Sequence, residues 1–201
     1  MRKRRSEEAD DLLAPDLLLH AYGVGIFPMG EEETDEVLWF RPDPRAVIPL
    51  DRFHVPRRLA RTVRRGTFDV TYDRAFGEVM DGCAEGRPVW ITDRMHRAYR
   101  RLHELGHAHS VEVWREGRLA GGLYGVQLGG AFMAESKFHR ERDASKVALV
   151  RLVERLRERG FAFLEVQYVT DHLRQFGAVE IPLRRYLGHL RAARRLRCWF
   201  A

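Results

Sequence analysis

An acid and an amide interrupt the apolar segment at residues 161–168, where Glu165 and Gln167 stand two positions apart. Alternate side chains of a β-strand point to the same side, so a strand here would place both groups on one face. A polar group on a buried strand must be hydrogen-bonded, because its burial is otherwise very costly. Spacing alone leaves two interpretations open: a functional pair inside the protein, or a strand end at the rim, where water satisfies both groups.

A second acid, Glu135, follows a short apolar segment and stands beside Ser136. Two acids and an amide between apolar walls suit a group transfer in which an amine attacks an activated carbonyl, such as that of an ester. This aminolysis needs alignment, a proton acceptor and a donor for the oxyanion. Glu165 is the candidate that takes or relays the proton. Gln167 is the candidate that orients the amine or holds the tetrahedral species, although the spacing does not dictate these roles.

The segment between the two acids has the pattern of an amphipathic helix at 143–159. Apolar residues recur there at i, i+3, i+4 and i+7, namely Leu149, Leu152, Val153 and Leu156. Asp143 is expected to cap the helix by accepting a free backbone N–H, and Gly160 suits a left-handed stop beyond its end. The polar strand at 161–168 would follow directly.

The remaining elements predict a mixed α/β (α+β) protein. Further helices are expected at 16–22, 55–65, 73–83 and 92–103, and strands at 37–40, 45–50, 68–72, 110–115 and 118–126. Asp73 and Thr92 are the expected caps of two of these helices. Because Pro42 and Pro44 force an extended turn, the first two strands suggest a small hairpin-like unit. A boundary near residues 84–92 would separate a smaller N-terminal unit from an α/β C-terminal unit.

The charge balance favours an anionic partner. The chain of 201 residues carries a formal net charge of +6, which speaks to association rather than to fold and points first to nucleic acid. The predicted helix at 55–65 places four arginines on one face: Arg57, Arg61, Arg64 and Arg65. A solvated basic face of a basic protein is the alternative.

Several classes of protein are disfavoured. His103, His107 and His109 bridge a helix end and a turn without the usual ligand spacing, so no metal site is expected. The chain has no serine-hydrolase elbow, phosphate-binding loop or dinucleotide fingerprint. No run approaches the roughly 18 apolar residues of a membrane-spanning helix, and the N-terminus lacks the apolar region of a signal peptide. Cys83 and Cys198 are expected to be ordinary thiols of a soluble, cytoplasmic protein.

Several collinear blocks over roughly residues 20–190 resemble the bacterial leucyl/phenylalanyl-tRNA–protein transferase family. Among them are Tyr22-Gly-Val-Gly-Ile-Phe-Pro28, Leu38-Trp-Phe-Arg-Pro-Asp-Pro-Arg-Ala46, Glu135-Ser-x-Phe-x-Arg140, Ala144-Ser-Lys146 and Gly177-Ala-x-Glu-Ile-Pro182. Residues 1–12 are expected to form a disordered tail. The resemblance implies a small N-terminal domain at 13–86 and a GNAT-like acyltransferase domain with a central mixed sheet at 87–201. A monomer is the default expectation.

The family resemblance implies transfer of leucine or phenylalanine, with methionine as a further possibility, from aminoacyl-tRNA to an N-terminal arginine or lysine. This transfer marks the acceptor protein for degradation by the N-degron route. No metal or nucleotide cofactor is implied. The rival enzyme is an acetyltransferase using acyl-CoA, but residues 138–143 lack the glycine of a pyrophosphate loop. The non-enzymatic rival is a tRNA-binding module.

The resemblance also implies roles for individual residues. Gln167 matches the catalytic amide, Glu165 stands where the family usually has aspartate, and Glu135 matches the acid that organises the site. Trp39 matches the aromatic residue near the terminal adenosine of the tRNA, and the arginine helix matches the basic patch that follows the acceptor stem. The implied substrate pocket comprises Leu123, Phe132, Ala134, Ser136, Lys137, Leu152 and Leu164. Leu123 and Leu152 replace the expected methionine and phenylalanine, and Lys137 replaces an apolar residue.

Overall fold

The structure is a computed structural model that describes residues 12–31, 34, 36–85 and 91–201. The predicted tail, apart from Leu12, lies outside these residues, as does most of the predicted boundary segment. Within the described part, no helix is long and apolar enough to span a bilayer.

The described residues form seven α-helices and nine β-strands. The helices are α1 Pro15–Gly23, α2 Arg57–Arg64, α3 Phe76–Ala84, α4 Asp93–Glu104, α5 Ala144–Glu158, α6 Asp171–Arg174 and α7 Leu183–Ala193. The strands are β1 Phe27–Gly30, β2 Val37–Phe40, β3 Arg45–Ile48, β4 Asp69–Tyr72, β5 Ala108–Arg115, β6 Arg118–Leu128, β7 Ala131–His139, β8 Phe163–Gln167 and β9 Val179–Ile181.

Seven strands form one mixed sheet in the order β4-β5-β6-β7-β8-β3-β9, and β1 and β2 form a separate ribbon. Every neighbouring pair in the large sheet is antiparallel except β7 and β8, which run parallel. A parallel pair needs a crossover connection, and α5 provides it. The predicted mixed α/β class is therefore confirmed.

Apolar side chains pack on both faces of the sheet. One cluster lies between the sheet and α1, α3, α4 and α7, and the other lies chiefly beneath α5. Neighbouring residues of one strand enter opposite clusters: Phe163 belongs to the first and Leu164 to the second. This alternation is the period-two pattern of a strand buried on both faces.

The predicted hairpin of strands 37–40 and 45–50 is wrong. Strand β2 pairs with β1, whereas β3 lies between β8 and β9 in the large sheet. Pro42 and Pro44 follow the end of β2, as the predicted turn required. Turn residues do not reveal which strand β2 will pair with, because strand pairing depends on tertiary packing. Because β3 and β4 join the same sheet as the later strands, residues 13–86 contribute directly to the central layer. The two-domain division stays a prediction.

Two predicted helix caps are also wrong, while a third is confirmed. Asp143 adopts a left-handed conformation with φ 69° and forms no capping hydrogen bond; its carboxylate instead binds Lys146 at 2.8 Å. Asp73 lies upstream of α3 and accepts a hydrogen bond from the backbone N–H of Ser110 at 2.9 Å. Thr92 accepts a hydrogen bond from the N–H of Met95 at the start of α4, as expected.

Candidate active site

Strands β7 and β8 separate where the predicted polar residues occur. Their parallel pairing ends at Met133 and Glu165. Just beyond this point, the register between β6 and β7 shifts, so that Glu135 has no partner residue on β6. The register between β3 and β8 also shifts, so that Val166 has no partner residue on β3. Such bulges redirect side chains and terminate pairing. They therefore open a gap in an otherwise continuous sheet.

One glycine is required for the close approach beside this gap. A Cβ atom at Gly125 on β6 would overlap the carbonyl oxygen of Met133 and the ring of Phe132. Only a residue without a side chain allows β6 and β7 to approach so closely beside the shifted register. The glycine-rich β6 thus helps to fix where Glu135 points.

Gln167 ends β8 and joins both acids. Its side-chain Nε2 donates to Oε2 of Glu135 at 3.1 Å, and its backbone N–H donates to Oε1 of Glu165 at 2.6 Å. Gln167 has φ 62°, a left-handed conformation that a residue with a side chain seldom adopts. Glu165 is 1% exposed, so the rim interpretation is wrong for this residue. The backbone of Gln167 thus contacts Glu165 and its side-chain amide contacts Glu135, while their joint role in a reaction stays a prediction.

Glu135 lies among neutral hydroxyl groups. The hydroxyl of Tyr99 donates to its Oε2 at 3.4 Å, and Tyr22 forms a hydrogen bond with Tyr99 in turn. The other carboxyl oxygen, Oε1, is buried and has no hydrogen-bond partner among the described residues. Burial, and secondarily the charge of Glu165, raises the pKa of Glu135 to about 8. The carboxyl group is therefore largely protonated at neutral pH.

Glu165, by contrast, lies against a cation. Nη2 of Arg45 is 3.0 Å from its Oε1, and both side chains are 1% exposed. The same guanidinium donates to the carbonyl of Gly25 at 2.7 Å and lies 4.4 Å from the ring centre of Tyr186. Burial raises the pKa of Glu165, but Arg45 opposes that shift. Because arginine stays charged, the geometry is that of a buried ion pair.

Sequence reasoning missed Arg45 as a functional residue. A signal was available, since a charged residue opens the apolar run Arg45–Ile48 and a buried glutamate needs a counter-ion. The sequence pattern does not show which of the many arginines is the counter-ion of Glu165. The tyrosines Tyr22 and Tyr99 were missed for a related reason, because a buried tyrosine in an apolar segment usually belongs to the core.

A small cavity opens beside the gap on the α5 side, with a volume of about 40 Å³. Its lining comprises Leu123, Ala134, Glu135, Ser136, Lys137, Leu149, Val166 and Leu173. Four predicted pocket residues are among these, whereas Phe132, Leu152 and Leu164 are fully buried in the core. A substrate role for those three stays a prediction. The volume holds roughly one or two water molecules, so a donor side chain would have to widen it.

The other predicted residues lie apart from the gap. Trp39 on β2 is half-buried and packs against the same cluster as Tyr22 and Tyr99, so its stacking role stays a prediction. The arginines of α2 and of the turn after it are exposed, as predicted: Arg57, Arg61, Arg64 and Arg65. His103 stacks on Phe76, and His109 lies 2.8 Å from Asp73. No cluster of metal-ligating side chains occurs among residues with described positions.

The chain matches two family descriptions along most of its length. Residues 47–191 match "Leucyl/phenylalanyl-tRNA protein transferase", and residues 11–43 match the N-terminal domain of that family. A leucyl/phenylalanyl-tRNA–protein transferase of Nitrobacter winogradskyi is 57% identical over 192 residues, which are 93% of this chain and 85% of that protein. The protein of the same name from Salinibacter ruber is 57% identical over 172 residues, 86% and 76% of the two chains.

Similarity to a solved structure supports the fold. The crystal structure of FemX aligns with a TM-score of 0.54 and 13% identity over 83% of this chain and 66% of that one. At this identity the likeness concerns the fold alone, and the prediction of a GNAT-like acyltransferase fold is confirmed. The sequence relatives and the matched residues show that the chain belongs to the leucyl/phenylalanyl-tRNA–protein transferase family.

Proposed function

We propose that this chain, an aminoacyltransferase by its family, moves leucine or phenylalanine from aminoacyl-tRNA to an N-terminal arginine or lysine of a protein. The product is then a substrate for N-degron degradation. The observation that carries the proposal is the contact between Gln167 and Glu135 in the gap between β7 and β8, beside an apolar cavity. The ester of the donor and the amine of the acceptor would meet there.

Gln167 is the group that orients the amine. Because its Nε2 donates to Glu135, its side-chain oxygen is left to accept a hydrogen bond from the incoming amine. Glu165 holds the backbone of Gln167 through the 2.6 Å hydrogen bond. Rigid placement of this kind is worth large factors in rate, since reacting atoms must be held in the attacking geometry.

Glu135 suits the role of hydrogen-bond donor to the oxyanion. Its Oε2 already accepts hydrogen bonds from Gln167 and Tyr99, so the proton of the neutral acid belongs on the unpartnered Oε1. Glu135 is one of the residues that line the cavity, and its Oε1 is buried without a partner among the described residues. A protonated carboxyl group there can donate to the negative charge that develops on the carbonyl oxygen.

The chemical step is an aminolysis. The amine nitrogen forms a bond to the carbonyl carbon, and the ester bond to the terminal ribose of the tRNA breaks. The amine loses one proton, which passes toward the ionised Glu165 and reaches the departing ribose oxygen. Catalysis then requires positioning, a proton acceptor and stabilisation of the oxyanion.

Acceptor preference, compartment and oligomeric state are parts of the same proposal. The N-terminal arginine or lysine preference follows from the family, the reaction is placed in the cytoplasm, and the protein is taken to act as a monomer. Cys83 and Cys198 form no disulfide with each other, which is compatible with a reducing compartment. Sedimentation of the full chain would test the oligomeric state directly.

One assay separates the proposed function from its rivals. The protein is incubated with labelled leucyl-tRNA and a peptide that begins with arginine, with and without ribonuclease. If label enters the peptide only when the RNA is intact, the result supports transfer from aminoacyl-tRNA. Transfer of an acetyl group from acetyl-CoA would identify an acetyltransferase instead, and binding of tRNA without any labelled peptide would leave a binding module.

A further inference from the structure

Basic side chains from three elements lie at or near the apolar cavity. Lys137 lines the cavity itself, and His139 lies two positions later on the same strand. His172 precedes Leu173, another lining residue. Lys146 stands in the first turn of α5. Three separate elements therefore bring basic groups to one place, and the proposed reaction uses none of these charges.

The topology explains why these groups converge. A Cβ atom built on Gly121, the β6 partner of His139, would lie 2.7 Å from Cβ of Ala144 and 3.3 Å from Cα of His139. The start of α5 therefore packs directly on the end of β7. Lys137 and His139 project toward the helix side of the sheet, because alternate residues share a face. Lys146 is then a close neighbour.

Electrostatics supports the same proximity. Burial lowers the pKa of His172, and the charges of Lys137, Lys146 and His139 lower it further. The same three side chains therefore lie near His172. Edge-on packing on Phe176 at 5.5 Å keeps His172 in place. The lowered pKa favours the neutral imidazole of His172, whose ring N–H can still donate to an anion, and Lys146 supplies a positive charge beside it.

The basic region continues from the cavity mouth to the arginine helix. The hydrogen bond from Lys146 lowers the pKa of Asp143, and the charges of Lys146, Arg58 and Arg142 lower it further. Arg58 belongs to α2, which packs against α5, and both Arg58 and Arg142 are exposed. A path of positive charge therefore connects the cavity to α2.

We propose that Lys137, His139, Lys146 and His172 bind backbone phosphates of the 3′ strand of the donor tRNA, between the cavity and the arginines of α2. The inference rests on the proposed function, because the cavity fixes where the aminoacyl end must lie. Phosphate contacts position a nucleic acid without reading its sequence. A transferase that accepts tRNAs for more than one amino acid gains from such contacts.

The experiment compares two donors that differ in their phosphates. Leucyl-tRNA carries the 3′ strand, whereas leucyl-adenosine carries the same ester and the same terminal nucleoside without a phosphodiester. The variant Lys146→Gln/His172→Gln removes one ammonium group and one imidazole N–H donor. Lys146→Arg keeps the charge and the pairing with Asp143. Arg159→Gln is the matched control, because Arg159 is exposed at the other end of α5, about 20 Å away at 1.5 Å per residue.

The double variant should lower kcat/KM for leucyl-tRNA by about tenfold and reduce the salt slope by about one, as loss of one or two phosphate contacts predicts. With leucyl-adenosine it should stay within about twofold of the unchanged protein. Lys146→Arg and Arg159→Gln should resemble the unchanged protein with both donors.

Other outcomes are equally decisive. An equal loss with both donors would overturn the phosphate assignment and make the cations part of the cavity. Unaltered transfer from leucyl-tRNA would also overturn it. If polyglutamate competes with the acceptor peptide and this competition is lost in the double variant, the surface binds acidic protein instead. Failure of the unchanged protein to use either donor would sink the proposed function, which is a separate result.

Discussion

Glu135 and Glu165 have the same side chain and nearly the same burial, yet their surroundings differ completely. Glu165 is held by the guanidinium of Arg45 at 3.0 Å. Glu135 meets only neutral hydrogen-bond donors, from Tyr99 and Gln167, and keeps one oxygen without a partner among the described residues. A buried charge needs a counter-charge, whereas a buried acid without one takes up a proton.

The difference divides the work at the site. Two carboxyl groups whose environments drive their ionisation apart are a recurring arrangement for acid and base roles. Glu165 pairs with Arg45 and accepts a hydrogen bond from the backbone of Gln167, while Glu135 has a raised pKa and lies beside the cavity. Gln167 contacts both and therefore couples them. Each of the following substitutions tests one side of this contrast.

The largest effect is expected from Arg45→Met, which leaves Glu165 buried without its cation. Removing one partner of a buried ion pair costs about 3–5 kcal/mol, so urea unfolding should show a loss of that size. The double variant Arg45→Met/Glu165→Leu removes both charges and should recover most of the loss. Arg184→Met, on the exposed side of α7, should stay within about 0.5 kcal/mol of the unchanged protein.

A small loss in Arg45→Met would break the contrast. If the free energy of unfolding fell by less than about 1 kcal/mol, Glu165 would have taken up a proton as Glu135 does. The two acids would then both be protonated. The proposed role of Glu165 as an anion in the transfer would be rejected.

The next effect concerns Gln167, the residue shared by the two acids. Gln167→Ala removes the amide that we propose orients the amine, and it should lower kcat by about 10²-fold, the size expected for one positioned polar group. Gln167→Asn is the matched variant, because asparagine tolerates the left-handed backbone while its amide withdraws by about 1.5 Å, one carbon–carbon bond. If kcat falls equally and severely in both variants while circular dichroism shows intact folding, the position of the amide, and not only its presence, is required for transfer.

Wild-type kcat in either Gln167 variant would remove this residue from the mechanism. The contact between Gln167 and Glu135 would then be structural. The difference between Glu135 and Glu165 would then affect the stability of the protein but not catalysis.

Local patterns predicted the elements of this fold better than their partners. The apolar stripe that includes Leu149 and Leu156 predicted α5, and the spacing of Glu165 and Gln167 predicted a shared face, because both follow from the geometry of a single element. Strand β3 was paired wrongly, since its neighbours β8 and β9 come from far along the chain. Pairing depends on how faces pack, and turn residues do not encode it.

The same limit explains which parts of the site were missed. The polar residues themselves interrupt apolar segments and are visible in the sequence. Arg45, Tyr22 and Tyr99 reach the site only through tertiary packing, and nothing local marks them. Resemblance to a family named Phe132 and Leu152 as pocket residues; both are fully buried, and their pocket role stays a prediction.

A smaller effect is expected in the pH dependence of stability, which tests the Glu135 side of the contrast. The pKa of Glu135 is about 8 in the folded protein against a usual value of 4.5. Between these values the folded chain binds more protons than the unfolded chain, so this contribution to stability is complete below pH 4.5 and is lost as pH rises through 8. Its slope approaches about 1.4 kcal/mol per pH unit.

Glu135→Gln should remove this contribution. Unfolding by urea at several pH values between 5 and 8 should therefore give a flatter profile for the variant than for the unchanged protein. Identical slopes would show that Glu135 is ionised in the folded state, and the proposed donor to the oxyanion would be lost. Glu78→Gln on α3, whose side chain is partly exposed, serves as the control that leaves the slope unchanged.

The smallest effect is expected at Val166, which stands between the two polar residues of β8 and faces the cavity on the other side of the sheet. Val166→Ala should enlarge the cavity and shift the ratio of kcat/KM for phenylalanyl-tRNA over leucyl-tRNA upward by about five- to thirtyfold, because one or two methyl groups in an apolar pocket discriminate by about 1–2 kcal/mol. Val179→Ala on the exposed edge strand β9 is the control. The pH slope assigned to Glu135 should stay the same in both variants, because the apolar wall carries no proton. A changed pH slope in Val166→Ala would mean that the cavity wall affects the protonation of Glu135. Donor selection and the protonation of Glu135 would then be coupled.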